Sequence, residues 1–460
     1  MNKNGNFLLT YGIYKILVKC YSIWTTAKTF EIGSEVLEFF SNQEINRNSG
    51  MEKNEMKKRI AIIGFGEMGK RHGLEFYESS MGEIEIGGVF EPNDEMYENG
   101  CAWNHRNDIP RYATVEELIA GVKPDGVLIT SPNFTHLANL QKLKDYTFPV
   151  IVEKPLDTSM EKISDIARFS REYKGPLMVD HCMRYAPIIR KARQLIEENR
   201  LGKLCSFQFT QREGVGMYHT FRRSKAGGGG YMIEKATHDL DVMLYLTDAK
   251  PESVMMVSAQ QAVGGNKPDD LTCDVCPERN SCRFAAVNQT SEGRKPNKVA
   301  KLKELCVFAK TVDVPDNETC TIRLSNGIFG TYSHSYFTEI PGHSRIYEII
   351  GTKGAMYMTL FAERTFDGEI RFFPFNHDLT SESYRFQYNN KIHYYAGPNL
   401  VHHFYDLMCG TEKVPFTTVP QAYTAEMLGF AAMKSAEENS RWVKIEEIVP
   451  EDLRDFIVGH

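Results

Sequence analysis

Residues 58–73 read KRIAIIGFGEMGKRHG. Arg59 to Ile63 is a short, β-branched apolar run, the composition of a strand buried on both faces. It runs straight into Gly64-Phe65-Gly66-Glu67-Met68-Gly69, and a helix-compatible segment follows. A G-x-G-x-x-G pattern is a weak signal alone; between a strand and a helix it predicts a dinucleotide-binding turn. Gly64 permits the tight turn, Gly66 lets a pyrophosphate approach the backbone, and Gly69 lets helix and strand pack closely. The helix N-terminus then offers its unpaired N–H groups to the anion.

Downstream, the same alternation continues. Ile84 to Phe90 (IEIGGVF) reads as a second strand, ended by Glu91. An acid there can accept hydrogen bonds from both adenosine ribose hydroxyls and would repel a 2′-phosphate, which favours NAD over NADP. Gly126 to Thr130 (GVLIT) is another buried strand, left by the turn Ser131-Pro132-Asn133, and Val150 to Val152 runs into Glu153-Lys154-Pro155. Short strands alternating with helical segments predict a parallel, doubly wound α/β sheet, with this domain over residues 56–180. Ligands of such sheets bind outside the carboxyl ends of the strands, where Gly64, Glu91, Ser131 and Lys154 all fall.

The whole chain sets bounds on this reading. Its 460 residues suffice for two or three domains, and 42% hydrophobic with 25% charged residues fits a globular protein. A net charge of −6 with no long Lys/Arg block gives no nucleic-acid footprint. No stretch approaches eighteen apolar residues, so no membrane span is expected. Residues 1–55 precede the globular pattern and are expected to lie outside the folded enzyme; Met51 and Met56 stand as alternative starts. The ten cysteines do not resemble a disulfide scaffold, so a reducing cytoplasm is the expected compartment.

A second stretch, GGGGYMIEKATHDLD (227–241), delivers acids and a histidine together. As one helix it places Glu234, His238 and Asp241 on a common face, and Ile233, Ala236, Leu240 and Leu244 on another. That polar face reads equally as a site or as a solvated surface.

These pieces resemble the Gfo/Idh/MocA family of NAD(P)-dependent oxidoreductases. GFGEMGKRH (64–72), FEPN (90–93), ITSPNFTH (129–136), EKPL (153–156), MRYAP (183–187) and the stretch 227–241 occur in the family's order and spacing. The resemblance implies a Rossmann domain followed, over residues 181–460, by an α/β domain on a large, open, mostly antiparallel sheet, often the oligomer contact. It implies a homo-oligomer and a sugar-like or inositol-like substrate. Cofactor contacts are implied at Gly64, Phe65, Gly66, Glu67, Met68, Gly69, Glu91, Ser131, Pro132, Asn133, His136, Glu153 and Lys154. The implied catalytic residues are Lys154, near the nicotinamide, His238 as general acid/base, and Glu234, where the family usually carries Asp. Two other classes share the fold: glycosidases that use NAD transiently, and non-catalytic NAD-binding regulators. A pure binder has no need of both Lys154 and His238.

One constellation stands outside this frame. Cys273, Cys276 and Cys282 form C-x₂-C-x₅-C, with Cys306 downstream, in an insertion over about residues 264–310. Such a cluster suits a structural zinc, and reads also as reduced thiols in a surface loop that includes residues 286–300. Arg184, Arg222 and Arg223 are candidates for substrate contact, with surface placement expected for at least two. His402 and His403 read as one exposed and one packed side chain.

Overall fold

The computed structural model describes residues 57–285, 304–338, 344–361, 368–376, 380–387 and 392–459. The N-terminal extension and the loop 286–300 lie outside them. The first sheet contains β1 (Lys58–Ile63), β2 (Ile84–Phe90), β3 (Arg111–Tyr112), β4 (Gly126–Ile129), β5 (Val150–Val152) and β6 (Leu177–Val179). Their order is β3-β2-β1-β4-β5-β6, and every pairing is parallel. Order reverses between β1 and β4, the crevice where such sheets bind ligands. Ile60 to Ile63 are fully buried, as a strand covered on both faces requires.

Helices α1 (Glu67–Ser79), α2 (Asp94–Trp103), α3 (Val115–Val122), α4 (His136–Lys142) and α5 (Met160–Glu172) complete the βα units. Two start where their sequence says they should. The side chain of Asn93 accepts from Met96 N at 2.9 Å, and that of Thr114 from Glu117 N at 3.1 Å, each satisfying an orphan N–H of the first turn.

The second sheet contains β7 (Leu204–Arg212), β8 (Pro251–Ala259), β9 (Asn317–Leu324), β10 (Phe329–Ser335), β11 (Ser344–Gly351), β12 (Gly354–Phe361), β13 (Gly368–Pro374), β14 (Glu382–Phe386) and β15 (Val443–Lys444). Its order is β14-β13-β12-β11-β7-β10-β9-β8-β15, antiparallel throughout except for the β7–β10 pair. Inward residues such as Phe209, Tyr347 and Met358 are buried, whereas Val257, Phe329, Tyr357 and Phe373 are exposed on their strands.

Among the described residues, six α-helices accompany this sheet: α6 (Pro187–Glu197), α7 (Lys225–Gly228), α8 (Tyr231–Glu234), α9 (Ala236–Thr247), α10 (Ala396–Cys409) and α11 (Val419–Glu437). Helix α11 packs on α5, α9 and β8, and so joins the two sheets. On α10, His402 is exposed and His403 half-buried, accepting from Phe416 N at 3.1 Å. Among the described residues no helix is long and apolar enough to cross a membrane.

The stretch 227–241 departs from the single amphipathic helix expected of it. The helix breaks at Lys235 (φ −124°, ψ −48°), and every residue of α9 is buried. There is no solvated acidic face. The core closes around both sides of α9, and its acids are paired internally, as buried charges must be.

Candidate active site

The glycine turn divides its labour as its spacing predicts. Gly64 has φ +89°, and a Cβ there would lie 2.5 Å from Ser131 Cα. A Cβ at Gly69 would stand 2.1 Å from the carbonyl oxygen of Gly64, so helix and strand touch through it. A Cβ at Gly66 would meet nothing within 4 Å. Gly66 therefore borders open space at the N-terminus of α1, and no side chain caps that terminus. This is the shape a pyrophosphate needs, with free N–H groups and room to approach them.

Around the turn the expected cofactor residues gather. The Glu91 carboxylate accepts from Phe65 N at 2.8 Å and from Asn93 N at 2.9 Å, which fixes it at the end of β2. Each carboxylate oxygen has a second lone pair available for a ribose hydroxyl. The Phe65 side chain is fully buried, so only its backbone faces the turn. Glu67 pairs with Lys70 at 2.6 Å and with Arg71; Met68 follows it in the first turn. Ser131 Oγ lies 2.7 Å from Thr135 Oγ1 and accepts from Asn139 at 3.0 Å. Pro132 caps the short 3₁₀ turn Asn133–Thr135.

His136 sits behind this loop, fully buried, with its ring nitrogens 3.0 Å from the carbonyl oxygens of Leu156 and Ser131. Burial opposes its charge more strongly than those carbonyls favour it, and its pKa falls to about 4. Burial thus favours the neutral ring, which has one N–H and donates to one of the two carbonyls at a time.

The reacting end is built where two distant segments meet. Lys154 Nζ donates to the backbone carbonyl of Glu234 at 2.6 Å. Glu234 is buried, and its carboxylate accepts from Asn133 Nδ2 at 3.1 Å while Arg222 Nε stands 3.1 Å away. One turn on, His238 is 4% exposed, and its ring meets that of His181 edge-on at 6.3 Å between centroids. Burial lowers the Lys154 pKa from the ordinary lysine value, with Glu234 pulling the other way. The turn before α8 relies on two glycines, Gly229 at φ +76° and Gly230 at φ +90°, a region other residues rarely occupy.

Asp241, one turn beyond His238, is paired with an arginine. It receives Arg184 Nε at 2.7 Å and Arg184 Nη2 at 2.5 Å, with both side chains about 1% exposed. Asp239, two residues earlier, is held by Arg345 Nε at 2.9 Å and by the Tyr347 hydroxyl. Surface placement fails for two of the arginines. Arg184 is buried against Asp241, and Arg223 is 6% exposed, donating to the Cys306 and Asp269 carbonyls. Their partners lie 57, 83 and 46 residues away, beyond the reach of local pattern.

Three further groups escaped the sequence reading. His181 is 1% exposed beside His238; burial lowers its pKa against the pull of Asp241. Glu426 on α11 accepts from Leu156 N at 2.8 Å, holding the backbone that follows Lys154, and burial pushes its pKa up to about 8. His72 Nε2 lies 2.7 Å from Glu153 and 3.0 Å from Asp180. Burial acts against the imidazolium, but Asp180 and Glu153 outweigh it and raise the His72 pKa to about 10. The G-x-G-x-x-G-x-x-H spacing was a signal for His72; nothing in sequence marks the other two.

Comparison with known proteins agrees with this geometry. The profile of an oxidoreductase family with an NAD-binding Rossmann fold matches residues 58–181, and that of the GFO/IDH/MocA C-terminal domain matches residues 189–357. The rhizopine catabolism protein MocA of Rhizobium meliloti is 28% identical over 222 residues, 47% of this chain and 67% of its own length. The inositol 2-dehydrogenase of Rhizobium meliloti (strain 1021) is 23% identical over 206 residues, 44% of this chain and 59% of its own. The matched region thus spans about two thirds or less of these relatives. A levoglucosan dehydrogenase solved with NADH and levoglucosan shares the fold, at TM-score 0.65 and 18% identity, covering 85% of this chain and 99% of that one. With the whole parallel sheet and most of the second sheet matched, the chain belongs to the Gfo/Idh/MocA family of NAD-binding oxidoreductases.

Proposed function

We propose that the protein is an NAD-dependent dehydrogenase that oxidises a secondary carbinol of a sugar, an inositol or a sugar derivative. The observation that carries this reading is the meeting of Lys154 with the Glu234–His238 segment at the carboxyl edge of the parallel sheet. Bound nicotinamide supplies the hydride acceptor. The chain's own residues handle the rest. His238 takes the hydroxyl proton as general base, and the Lys154 ammonium stabilises the developing alkoxide. Glu234, held by Asn133 and Arg222, is fixed to receive a neighbouring substrate hydroxyl. Dehydrogenase chemistry among the relatives, such as the inositol 2-dehydrogenase, supports the reaction class.

Two finer points belong to the same reading. Glu91, anchored to the glycine turn, favours NAD over NADP because its charge opposes a 2′-phosphate. The exposed apolar residues Val257, Phe329, Tyr357 and Phe373 on the second sheet support assembly into a homo-oligomer through that face.

A panel of inositols, aldoses and anhydrosugars, assayed for NADH formation at 340 nm, tests the proposal. Reduction of NAD by at least one polyol, abolished in His238→Ala, is the expected result. Dye release from p-nitrophenyl glycosides without added NAD would replace it with redox-assisted glycoside cleavage. NAD binding without turnover of any polyol or glycoside would make the protein a binder.

A further inference from the structure

The cysteine insertion takes no part in the site above. In the structure its thiols converge. Cys273, Cys276, Cys282 and Cys306 line one cavity of about 20 Å³, which has room for one water-sized particle. Two segments are crossed to bring them there. Thr272 and Leu305 form an antiparallel bridge, Cys273 N donates to Glu304 O at 2.9 Å, and Cys306 N donates to Leu271 O at 2.8 Å. None of the four is in a disulfide.

A fifth donor, which the sequence did not suggest, lines the same cavity. His219 is 8% exposed, and its Nδ1 lies 2.9 Å from the Leu305 carbonyl oxygen, which accepts its proton. That bond fixes the tautomer and leaves a lone pair on Nε2, which is buried without a hydrogen-bond partner. A histidine oriented through one nitrogen by a backbone carbonyl, with the other free among cysteines, is the usual arrangement of a metal ligand.

We propose that His219 and Cys273, Cys276, Cys282 and Cys306 form a binding site for one zinc-class divalent cation, its four ligands drawn from these five donors. Soft thiolates with an imidazole select zinc over hard cations. Arg279 lines the same cavity together with the paired Lys267 and Glu278, and its charge offsets part of the negative charge of such a centre. Binding exchanges the thiol protons, released to solvent, for the cation.

The site closes on binding. No three of these donor atoms lie within 4.8 Å of one another, whereas sulfurs on tetrahedral zinc stand about 3.8 Å apart. The thiols must therefore be drawn inward by a shift of the loop. This segment has reason to need such a clamp. Between β8 and β9 no described residue belongs to a helix or a multi-residue strand, and the nearby apolar cluster is small and separate from the main core. What it braces bears on the site, since Arg223 is tied to Cys306 O and its neighbour Arg222 stands against Glu234.

Elemental analysis of the full-length protein, purified under reducing conditions without chelator, tests the proposal. About one zinc per chain is expected, released when the thiols are titrated with a mercurial in the presence of a colorimetric zinc dye. Cys276→Ser/Cys282→Ser should lose it, while Cys205→Ser, an exposed cysteine outside the insertion, should keep it. His219→Ala should weaken retention against a competing chelator by about tenfold or more. Protein without zinc that also fails to take up added Zn²⁺ from the dye would overturn the proposal. So would full retention of zinc in the double cysteine variant, which needs no assumption about how that variant folds. Unaltered retention in His219→Ala would remove His219 from the donor set.

Discussion

Lys154 Nζ donates to the carbonyl of Glu234 at 2.6 Å, across 80 residues of sequence. The bond joins the loop after β5 to the end of α8, so the charge proposed to serve the alkoxide also pins the helix that leads to His238. Lys154→Met should lower kcat by about 10²–10⁴-fold, and His238→Ala by a similar factor with NAD affinity nearly unchanged. If both act on one alkoxide, the double variant will lose less than the sum. Near-native turnover by His238→Ala would show that the proton leaves by another route.

The lysine also makes a prediction about pH. Burial lowers its pKa, so the ammonium is lost at lower pH than in an exposed lysine. Activity that needs the charged form falls as pH rises through that value. The alkaline limb of kcat/KM should therefore begin below the ordinary lysine range, and Lys154→Arg should move it upward in whatever activity remains. A limb unmoved by the arginine would assign it to another group.

His72 and His136 predict opposite pH dependences of stability. The His72 pKa is raised to about 10 because Asp180 and Glu153 outweigh burial, so its contribution is full below about pH 6.5 and lost as pH rises towards 10. The His136 pKa is lowered to about 4 by burial, so its penalty develops as pH falls from about 6.5 towards 4. Thermal unfolding of His72→Gln should show a shallower loss of Tm between pH 7 and 10 than the parent. Parallel curves would mean that His72 is not the charged bridge.

Arg184 and Asp241 form a fully buried pair. Breaking it from one side strips Asp241 of its bidentate cation, so Arg184→Met should cost about 3–5 kcal/mol by urea unfolding. Adding Asp241→Leu should recover part of that loss. A cost below about 1 kcal/mol would place the pair in a far wetter setting than its burial indicates.

The proposed preference for NAD rests on Glu91. The parent should bind NAD more tightly than NADP by roughly 1–3 kcal/mol in a fluorescence titration. Glu91→Ala should narrow that gap, and it should also weaken NAD because the Phe65 amide loses its acceptor. Equal affinities in the parent would show that Glu91 does not oppose the 2′-phosphate.

The parts of this molecule that were legible in sequence are those encoded locally. The strand before Gly64, the turn itself and the acid closing β2 depend on neighbours a few residues away, so pattern suffices. The stretch 227–241 was half legible. Its glycines announced a turn, and Gly229 and Gly230 do adopt positive φ. Periodicity could not show that α9 is enclosed on all sides, because what encloses it comes from Arg184 and from Arg345 on β11. His181, His219 and Glu426 were silent for the same reason: each takes its meaning from tertiary contacts alone.

The anchoring of α8 and α9 has a mechanical consequence. Glu234 ties α8 to the loop after β5 through Lys154, Asp241 ties α9 to Arg184 in the segment after β6, and Asp239 ties α9 to the second sheet through Arg345 and Tyr347. Two consecutive short helices, joined at Lys235, are thus pinned towards both sheets. A hinge that swung the two sheets apart would have to break the Lys154–Glu234 bond or shear one of the buried ionic pairs on α9, so polar contacts as well as packing oppose such a motion.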